Sequence, residues 1–500
     1  MRILYIDIDS LRPDHLGCYG YHRDTSPNID RIAAQGVRFT NCYTPDAPCL
    51  PSRTALFAGR TGFHTGVVNH GGVAGQPFIE GPERAFRDRF GMTSFIAALK
   101  NHGLHTCTLS PFGERHSAWH WYAGFNEVHN PGKGGMENAD EVSPLAVDWI
   151  QRNAAQKKDW FLHMNFWDPH TPYRVPLDFG DPFQDEPIPD WLTEAVRADH
   201  WSRPGPHSAR EVLGWDPDRS WPPREDREQR FPRQPGEIPS MAAVRQMFDG
   251  YDTGVRYADA HLGKVLEALE QAGVLEDTWI ILSADHGENL GELNIYGDHQ
   301  TADQITCNIP MIVKMPGVTD AQAGRVDASL IYHFDVAATV MELLGIEAQP
   351  HWDGLSFAEN LKSESEAALR DTVVVSQNAW SCQRGVRWDH WMLVRSYHEG
   401  YHGFPDLMLF DLANDPHEQH NLAESHPEVV GEGLKRLDAW VTDQLKTATD
   451  AIDPMQTVLA EGGAFHTRGM LPTYLERLRA TDRGQWADWL TEKHPDEANV

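Results

Sequence analysis

Cys49-Leu50-Pro51-Ser52-Arg53, continued by Thr54-Ala55-Leu56-Phe57-Ala58-Gly59-Arg60, sits between a loop and a short helix that ends near Gly59. On its own the stretch reads as a buried cysteine in a turn before a helix. Two other segments give it weight. Ile3-Leu4-Tyr5-Ile6-Asp7-Ile8-Asp9 is an apolar run, consistent with a strand buried on both faces of a parallel sheet. In open α/β sheets ligands gather at the carboxyl ends of strands, so Asp9 is placed where chemistry happens. Trp279-Ile280-Ile281-Leu282-Ser283-Ala284-Asp285-His286-Gly287 is a second buried strand that ends in acid.

Cys-x-Pro-Ser-Arg followed by x-x-Leu-x-x-Gly-Arg resembles the signature of the type I sulfatases, in the alkaline phosphatase superfamily. The resemblance implies that Cys49 is not used as a thiol. A formylglycine-generating enzyme oxidises it to formylglycine, an aldehyde that is hydrated to a geminal diol on a bound divalent metal. One diol hydroxyl, held on the metal, loses its proton more easily than free water does. It attacks the sulfur or phosphorus of an ester, and the second hydroxyl lets the covalent product collapse. Pro51 and Arg53 belong to the recognition sequence for maturation. Arg53 also stands beside the diol to offset its negative charge.

The same resemblance assigns further residues. Asp9-Ser10-Leu11-Arg12-Pro13 is similar to the family's Asp-Asp-Leu-Arg-Pro, with Asp9 as the first metal-binding aspartate and Ser10 where the second usually stands. A related subgroup, the phosphonate monoester hydrolases, also lacks an acid there. Asp7 and Asp14 read as strand-end and turn residues that could compensate. Asp285 and His286 complete a metal set with Asp9 and Cys49, for Ca²⁺ or Mn²⁺, with Mg²⁺ as a third option. Asn69, in His64-Thr65-Gly66-Val67-Val68-Asn69, corresponds to an active-site asparagine that binds the substrate. Where the sulfatases have Gly-Lys-Trp-His, this chain has Ser110-Pro111-Phe112-Gly113. Arg115, His116 and His120 follow among aromatic residues. They are candidates to replace the missing pair or to line a specificity pocket, with His116 taken as a substrate contact. An aromatic wall there suits a cationic substrate as well. His170, in Asp168-Pro169-His170-Thr171-Pro172, inherits the contact that protonates the leaving oxygen. His299 falls where many sulfatases have a substrate-binding lysine. A charged imidazole there, oriented by Asp298, makes activity pH-dependent.

The fold implied is α/β: an alkaline-phosphatase-like large sheet sandwiched by helices, then a smaller C-terminal α+β domain with a short antiparallel sheet. The expected division is a catalytic domain over residues 1–370, a small domain over 371–450, and a C-terminal extension over 451–500 available for an oligomer contact. Within the first, 176–240 reads as an irregular insertion or lid, rich in Pro, Asp, Arg and tryptophans (Trp191, Trp201, Trp215, Trp221).

Composition narrows the partners. Lys+Arg 43 against Asp+Glu 73 gives a net charge of −30, which disfavours nucleic acid and anionic membrane. Six cysteines in 500 residues are not a disulfide framework. The chain enters a strand at once, with no signal peptide and no apolar run near ~18 residues, so a cytoplasmic, non-membrane protein, forming a homo-oligomer, is expected. The function expected is hydrolysis of small sulfate esters by formylglycine made from Cys49. The alternative is a phosphonate monoester or phosphodiester hydrolase with the same nucleophile. A third reading is an inactive relative that binds without turnover.

Overall fold

A computed structural model describes residues 1–80, 89–157, 159–215, 230–364 and 368–498. Trp221 lies outside the described residues, as does the rest of 216–229 in the expected insertion.

The large sheet is built from β1 (Arg2–Ile8), β2 (Val37–Tyr43), β4 (His105–Leu109), β5 (Glu127–His129), β6 (Trp160–Phe166), β7 (Thr278–Ser283), β10 (Asn308–Lys314), β11 (Arg325–Asp327) and β12 (Ile331–Tyr332). The small sheet takes β3 (Asp46–Ala47), β13 (Thr372–Gln377), β14 (Cys382–Trp388), β15 (Trp391–His398) and β16 (Leu407–Asp411), and β8 (Asn289–Leu290) pairs with β9 (Tyr296–Asp298). Strand order in the large sheet is β11-β2-β10-β7-β1-β6-β4-β5, with β12 also on β2. β1 runs parallel to both β6 and β7 at the centre, and β10 runs antiparallel to its two neighbours. Every residue of β6 and β7 is buried, as is β1 from Ile3 onward. That is the pattern of strands covered on both faces, and it explains their unbroken apolar character.

The helix Met241–Gln271 packs against Ala139–Asn153. It buries Val244, Met247, Phe248, Tyr251, Val255, Leu262, Val265, Leu266 and Leu269, an i, i+3, i+4 stripe. Each such side chain contributes roughly 1.5–3 kcal/mol relative to exposure. Ser240 caps it, its side chain accepting from the Ala243 N–H. Residues 89–101 form two helices, Arg89–Thr93 and Phe95–Asn101. Ser94 makes the break, because its hydroxyl accepts from the Ala97 N–H and starts a new helix.

The small sheet has the order β16-β15-β14-β13-β3 and is antiparallel except at β3, which pairs in parallel with β13 through Ser376↔Asp46 and Gln377↔Ala47. Helix Pro427–Thr447 covers it through Val430 and Leu437 on Val386, Leu393 and Leu409. The edge strand therefore comes from the segment just before Cys49, which ties the small sheet to the loop that carries the cysteine. The extension forms helices Pro454–Ala460, Leu471–Ala480 and Gly484–Lys493. Leu471, Tyr474, Leu475, Leu478, Ala487 and Leu490 are buried with Trp215 and Tyr401, so this segment folds onto its own chain. Among the described residues no helix is long and apolar enough to cross a membrane.

Candidate active site

Asp7, in β1, and Asp9, just past its end, are two residues apart and so face the same side of the sheet edge. Asp7 is in register with Ser283 of the adjacent β7. Two residues further along each chain, Asp9 and Asp285 come side by side. Cys49 begins the helix Cys49–Ala58, all ten residues of which are buried, and Arg53 follows one turn later on the same face. Gly59 ends that helix at φ 65°, where a Cβ would lie 2.8 Å from the Trp352 ring, so glycine is needed there twice over.

Arg53 organises the floor. Its Nε donates to Asp7 Oδ2 at 2.6 Å and its Nη2 to Asp7 Oδ1 at 3.2 Å. Its Nη1 donates to Asp9 Oδ2 at 2.9 Å and to Asp285 Oδ2 at 2.6 Å. The guanidinium lies over the Phe112 ring, 4.9 Å from its centroid. Cys49 Sγ is 3.2 Å from His286 Nε2. The Ser10 hydroxyl donates to Asp9 Oδ1 at 3.0 Å, and the Ser10 N–H donates to Asp285 Oδ1 at 3.2 Å. Ser10 thus holds both carboxylates where an acid was expected by resemblance. Asp7 serves Arg53, and Asp14 pairs with Arg12 at the surface side, so neither compensates as a metal ligand in this arrangement.

One ligand-type atom from each of Asp9, Cys49, Asp285 and His286 lies within 4.8 Å of the others, and all four residues are buried. The donor set suits a divalent cation on two counts. Asp7, Asp9 and Asp285 carry three negative charges against one from Arg53, leaving the buried cluster short of positive charge. The His286 Nδ1–H donates to the Gly287 carbonyl at 2.8 Å, which leaves Nε2 bare toward the cluster, as in metal-ligating histidines. Burial raises the Asp9 carboxyl, but Arg53, His170 and His286 outweigh it and hold Asp9 well below the carboxylate range. Burial pushes Asp285 up to about 6, with Arg53 opposing and Asp9 reinforcing. Burial, then Asp9 and Asp285, push the Cys49 thiol well above its ordinary value. Reactive thiolates need the opposite surroundings.

Above the floor opens a cavity of about 740 Å³ lined by Cys49, His116, His170 and His299, among others. Cys49, His170 and His299 each place a ligand-type atom within 4.8 Å of the others. His170 Nδ1 donates to the Thr171 carbonyl, and its Nε2 stands 4.0 Å from Asp9 Oδ1. Burial pushes His170 down to about 3, despite Asp9. The expectation of a charged His299 is corrected: burial, then His286 and His170, drive it well below its ordinary value, so the ring is neutral in the free protein. Asp298 does not orient that ring. Its Oδ1 accepts from the His299 backbone N–H at 2.8 Å and is 3.6 Å from Nδ1. Asn69 is buried beside the cavity and does not line it. Its Oδ1 accepts from the His70 N–H at 2.8 Å, and His70 takes the place on the wall. His120 also leaves the site, its Nε2 3.1 Å from Thr54 Oγ1 on the nucleophile helix.

Residues 112–135 and the insertion both contribute to the cavity wall. Arg115 and Lys133 come from one, Arg210 and Gln234 from the insertion, and Asp298 is the one acid among the described lining residues. Arg115 lies over Trp167 at 4.7 Å and donates to the Gly135 carbonyl. Sequence reading missed His70 and His466. His70 is one position from the residue it selected, whereas His466 sits in an extension with no motif to mark it.

The chain is similar to known proteins. A family model described as Sulfatase matches residues 2–346, and one described as N-sulphoglucosamine sulphohydrolase, C-terminal, matches residues 291–441. The choline-sulfatase of Rhizobium meliloti is 25% identical over 439 residues, covering 80% of this chain and 78% of its own. Human iduronate 2-sulfatase is 26% identical over 379 residues, covering 68% of this chain and 65% of its own. The crystal structure of a phosphonate monoester hydrolase of Agrobacterium radiobacter has a TM-score of 0.68 at 20% identity, covering 89% of this chain and 96% of its own. With the first family model spanning more than two thirds of the residues, and the cysteine signature lying over a carboxylate–histidine floor, the chain belongs to the sulfatase family of sulfuric ester hydrolases.

Proposed function

We propose that this protein hydrolyses small sulfate esters with residue 49, converted from cysteine to formylglycine, as nucleophile. The observation that carries this is the convergence of Asp9, Cys49, Asp285 and His286 at the base of an accessible cavity. Asp9, Asp285 and His286, with the oxygen that replaces Cys49 Sγ, would hold one divalent cation, Ca²⁺, Mn²⁺ or Mg²⁺. Such a cation supplies Lewis acidity, lowering the pKa of an oxygen held on it.

The chain's own groups do the rest. Arg53 fixes Asp7, Asp9 and Asp285 and keeps positive charge under the developing negative charge. His170 and His299 face Cys49 from one wall, placed to bind the transferring group and serve the leaving oxygen. Both are neutral in the free protein, and the negative charge of a bound sulfate ester favours their protonation. Arg115 fills the office of the missing lysine as a fixed cation on the cavity wall, held over Trp167.

The lining also speaks to the alcohol. Arg115, Lys133 and Arg210 against Asp298 alone make a wall that repels a quaternary ammonium and suits a neutral or anionic group. A phosphonate monoester or phosphodiester hydrolase is the second reading. It is favoured by Ser10 on Asp9 and by Ser110-Pro111-Phe112-Gly113 in place of the lysine–histidine pair. A comparison of kcat/KM for an aryl sulfate, an aryl phosphonate monoester and an aryl phosphodiester decides between them. A sulfate preference of about tenfold, ~1.4 kcal/mol, supports the first reading, and preference for either phosphorus ester supports the second.

A further inference from the structure

Cys49 has a second wall of imidazoles, opposite in sequence origin to His170 and His299. A ring nitrogen of His70, a ring nitrogen of His116 and Cys49 Sγ all lie within 4.8 Å of one another. His70 Nδ1 is 2.9 Å from His466 Nε2. His70 Nε2 is buried without a hydrogen-bond partner among the described residues. Among the described residues nothing therefore uses the one nitrogen that the His466 contact leaves available. His116 lines the same wall, but among the described residues no side chain hydrogen-bonds its ring, so its orientation is not fixed in the same way.

The partner histidine is itself held. Its ring stacks on Trp380, centroids 4.4 Å apart, and its backbone N–H donates to the Ala379 carbonyl at 2.8 Å. The segment around it clamps the loop that carries His70. The Val73 N–H donates to Glu461 Oε1 at 2.9 Å. A Cβ on Gly71 would lie 2.3 Å from the Phe465 ring, and one on Gly72 would lie 2.2 Å from Glu461 Oε2. The Phe465 ring leaves room only for glycine at 71, and Gly72 is favoured by its left-handed backbone, φ 70°. A contact this tight, across 396 residues of sequence, gives the C-terminal extension a place in the cavity wall.

We propose that His70 is the proton acceptor that frees sulfate from residue 49, and that His466 acts through it by fixing its ring. This rests on the sulfatase reading above. The step balances as follows in bonds. The O–H bond of the remaining hydroxyl on the residue 49 carbon breaks, and its proton goes to His70 Nε2. The electron pair of that bond forms the carbonyl. The bond from the same carbon to the sulfate oxygen breaks, and its pair leaves with sulfate. For Nε2 to accept, Nδ1 must carry the hydrogen and donate it to His466 Nε2. His466, His116, His299 and Arg115 are the charged or titratable groups around His70, and with its burial they favour the neutral ring. The His70–His466 pair thereby supplies the base that the sequence at 110–113 lacks.

The test is rapid-mixing kinetics on 4-nitrophenyl sulfate with the matured, metal-loaded enzyme. His70→Ala is expected to keep a burst of about one nitrophenol per site and to lose steady-state kcat by about 10²–10⁴-fold. Sulfate is then found on the peptide that contains residue 49, and added imidazole restores turnover. His466→Phe is expected to lower kcat and KM together with kcat/KM unchanged, because only release of sulfate slows, and ¹⁵N spectra of His70 lose the hydrogen-bonded Nδ1–H signal. A steady-state kcat for His70→Ala within about threefold of wild type overturns the proposal. So does a lost burst in a His70→Ala protein that melts like wild type. Wild-type enzyme that does not turn over the sulfate ester overturns the sulfatase reading itself.

Discussion

Arg53 Nη1 sits between two carboxylates from different strands, 2.9 Å from Asp9 Oδ2 and 2.6 Å from Asp285 Oδ2. The residue lies one helical turn after Cys49, so the nucleophile helix brings with it the positive charge that lets two strand-end acids approach each other. Removing that charge leaves three buried carboxylates with no counter-charge in the metal-free protein. Arg53→Ala is expected to destabilise the metal-free fold by about 3–5 kcal/mol in urea denaturation. Arg53→Lys should recover only part of this, because an ammonium cannot reproduce the bidentate contact with Asp7. A loss under about 1 kcal/mol in Arg53→Ala would show that the floor does not depend on the arginine.

The basic wall leads to a second expectation. An aryl sulfate bearing a carboxylate should exceed choline sulfate in kcat/KM by about tenfold or more at low salt, and the gap should narrow as ionic strength rises. Arg115→Ala should narrow it further, since this side chain lies in the cavity with no carboxylate hydrogen-bonded to it among the described residues. Choline sulfate as the better substrate would contradict the charge reading of the wall.

Stability should depend on pH through the extension. His494 Nε2 donates to Glu399 Oε1 at 2.7 Å and Nδ1 donates to Glu497 Oε1 at 3.0 Å. Burial lowers the imidazole pKa, but these two carboxylates outweigh it and raise it to about 9. A group raised on folding contributes most below its unfolded value, about 6.5, and loses that contribution as pH rises through about 9. On the acid side, burial raises Glu399 but His494 holds it at about 2, so the same contact weakens as pH falls from about 4.5 toward 2. The melting temperature of wild type should exceed that of His494→Gln by a constant margin between about pH 5 and 6, and the margin should shrink from about pH 6.5 and close above pH 9. A margin that persists unchanged to pH 10 would mean that the contact is not ionic.

The parts of the fold legible in sequence were those with local signals. Two apolar runs ending in Asp9 and Asp285 mark buried central strands, because a strand covered on both faces must be apolar throughout. Cys49 and Arg53 share a motif whose spacing is that of one helical turn. Asp46–Ala47 carries no comparable signal: two residues become a strand only because β13 lies beside them. His70 and His466 are in the same position, since nothing along the chain reports a contact between them. The charge of His299 was misread for a related reason. Burial sets it, and burial is a property of the packed cavity, not of the residues around position 299.

The account turns on what residue 49 becomes. The direct measurement is the mass of the tryptic peptide that contains it, from protein made alongside a formylglycine-generating enzyme. Conversion of thiol to aldehyde makes that peptide about 18 Da lighter. The account predicts the lighter peptide, with sulfate-ester hydrolysis in proportion to the converted fraction and none in Cys49→Ala. An intact thiol in protein that hydrolyses the ester at full rate would contradict it.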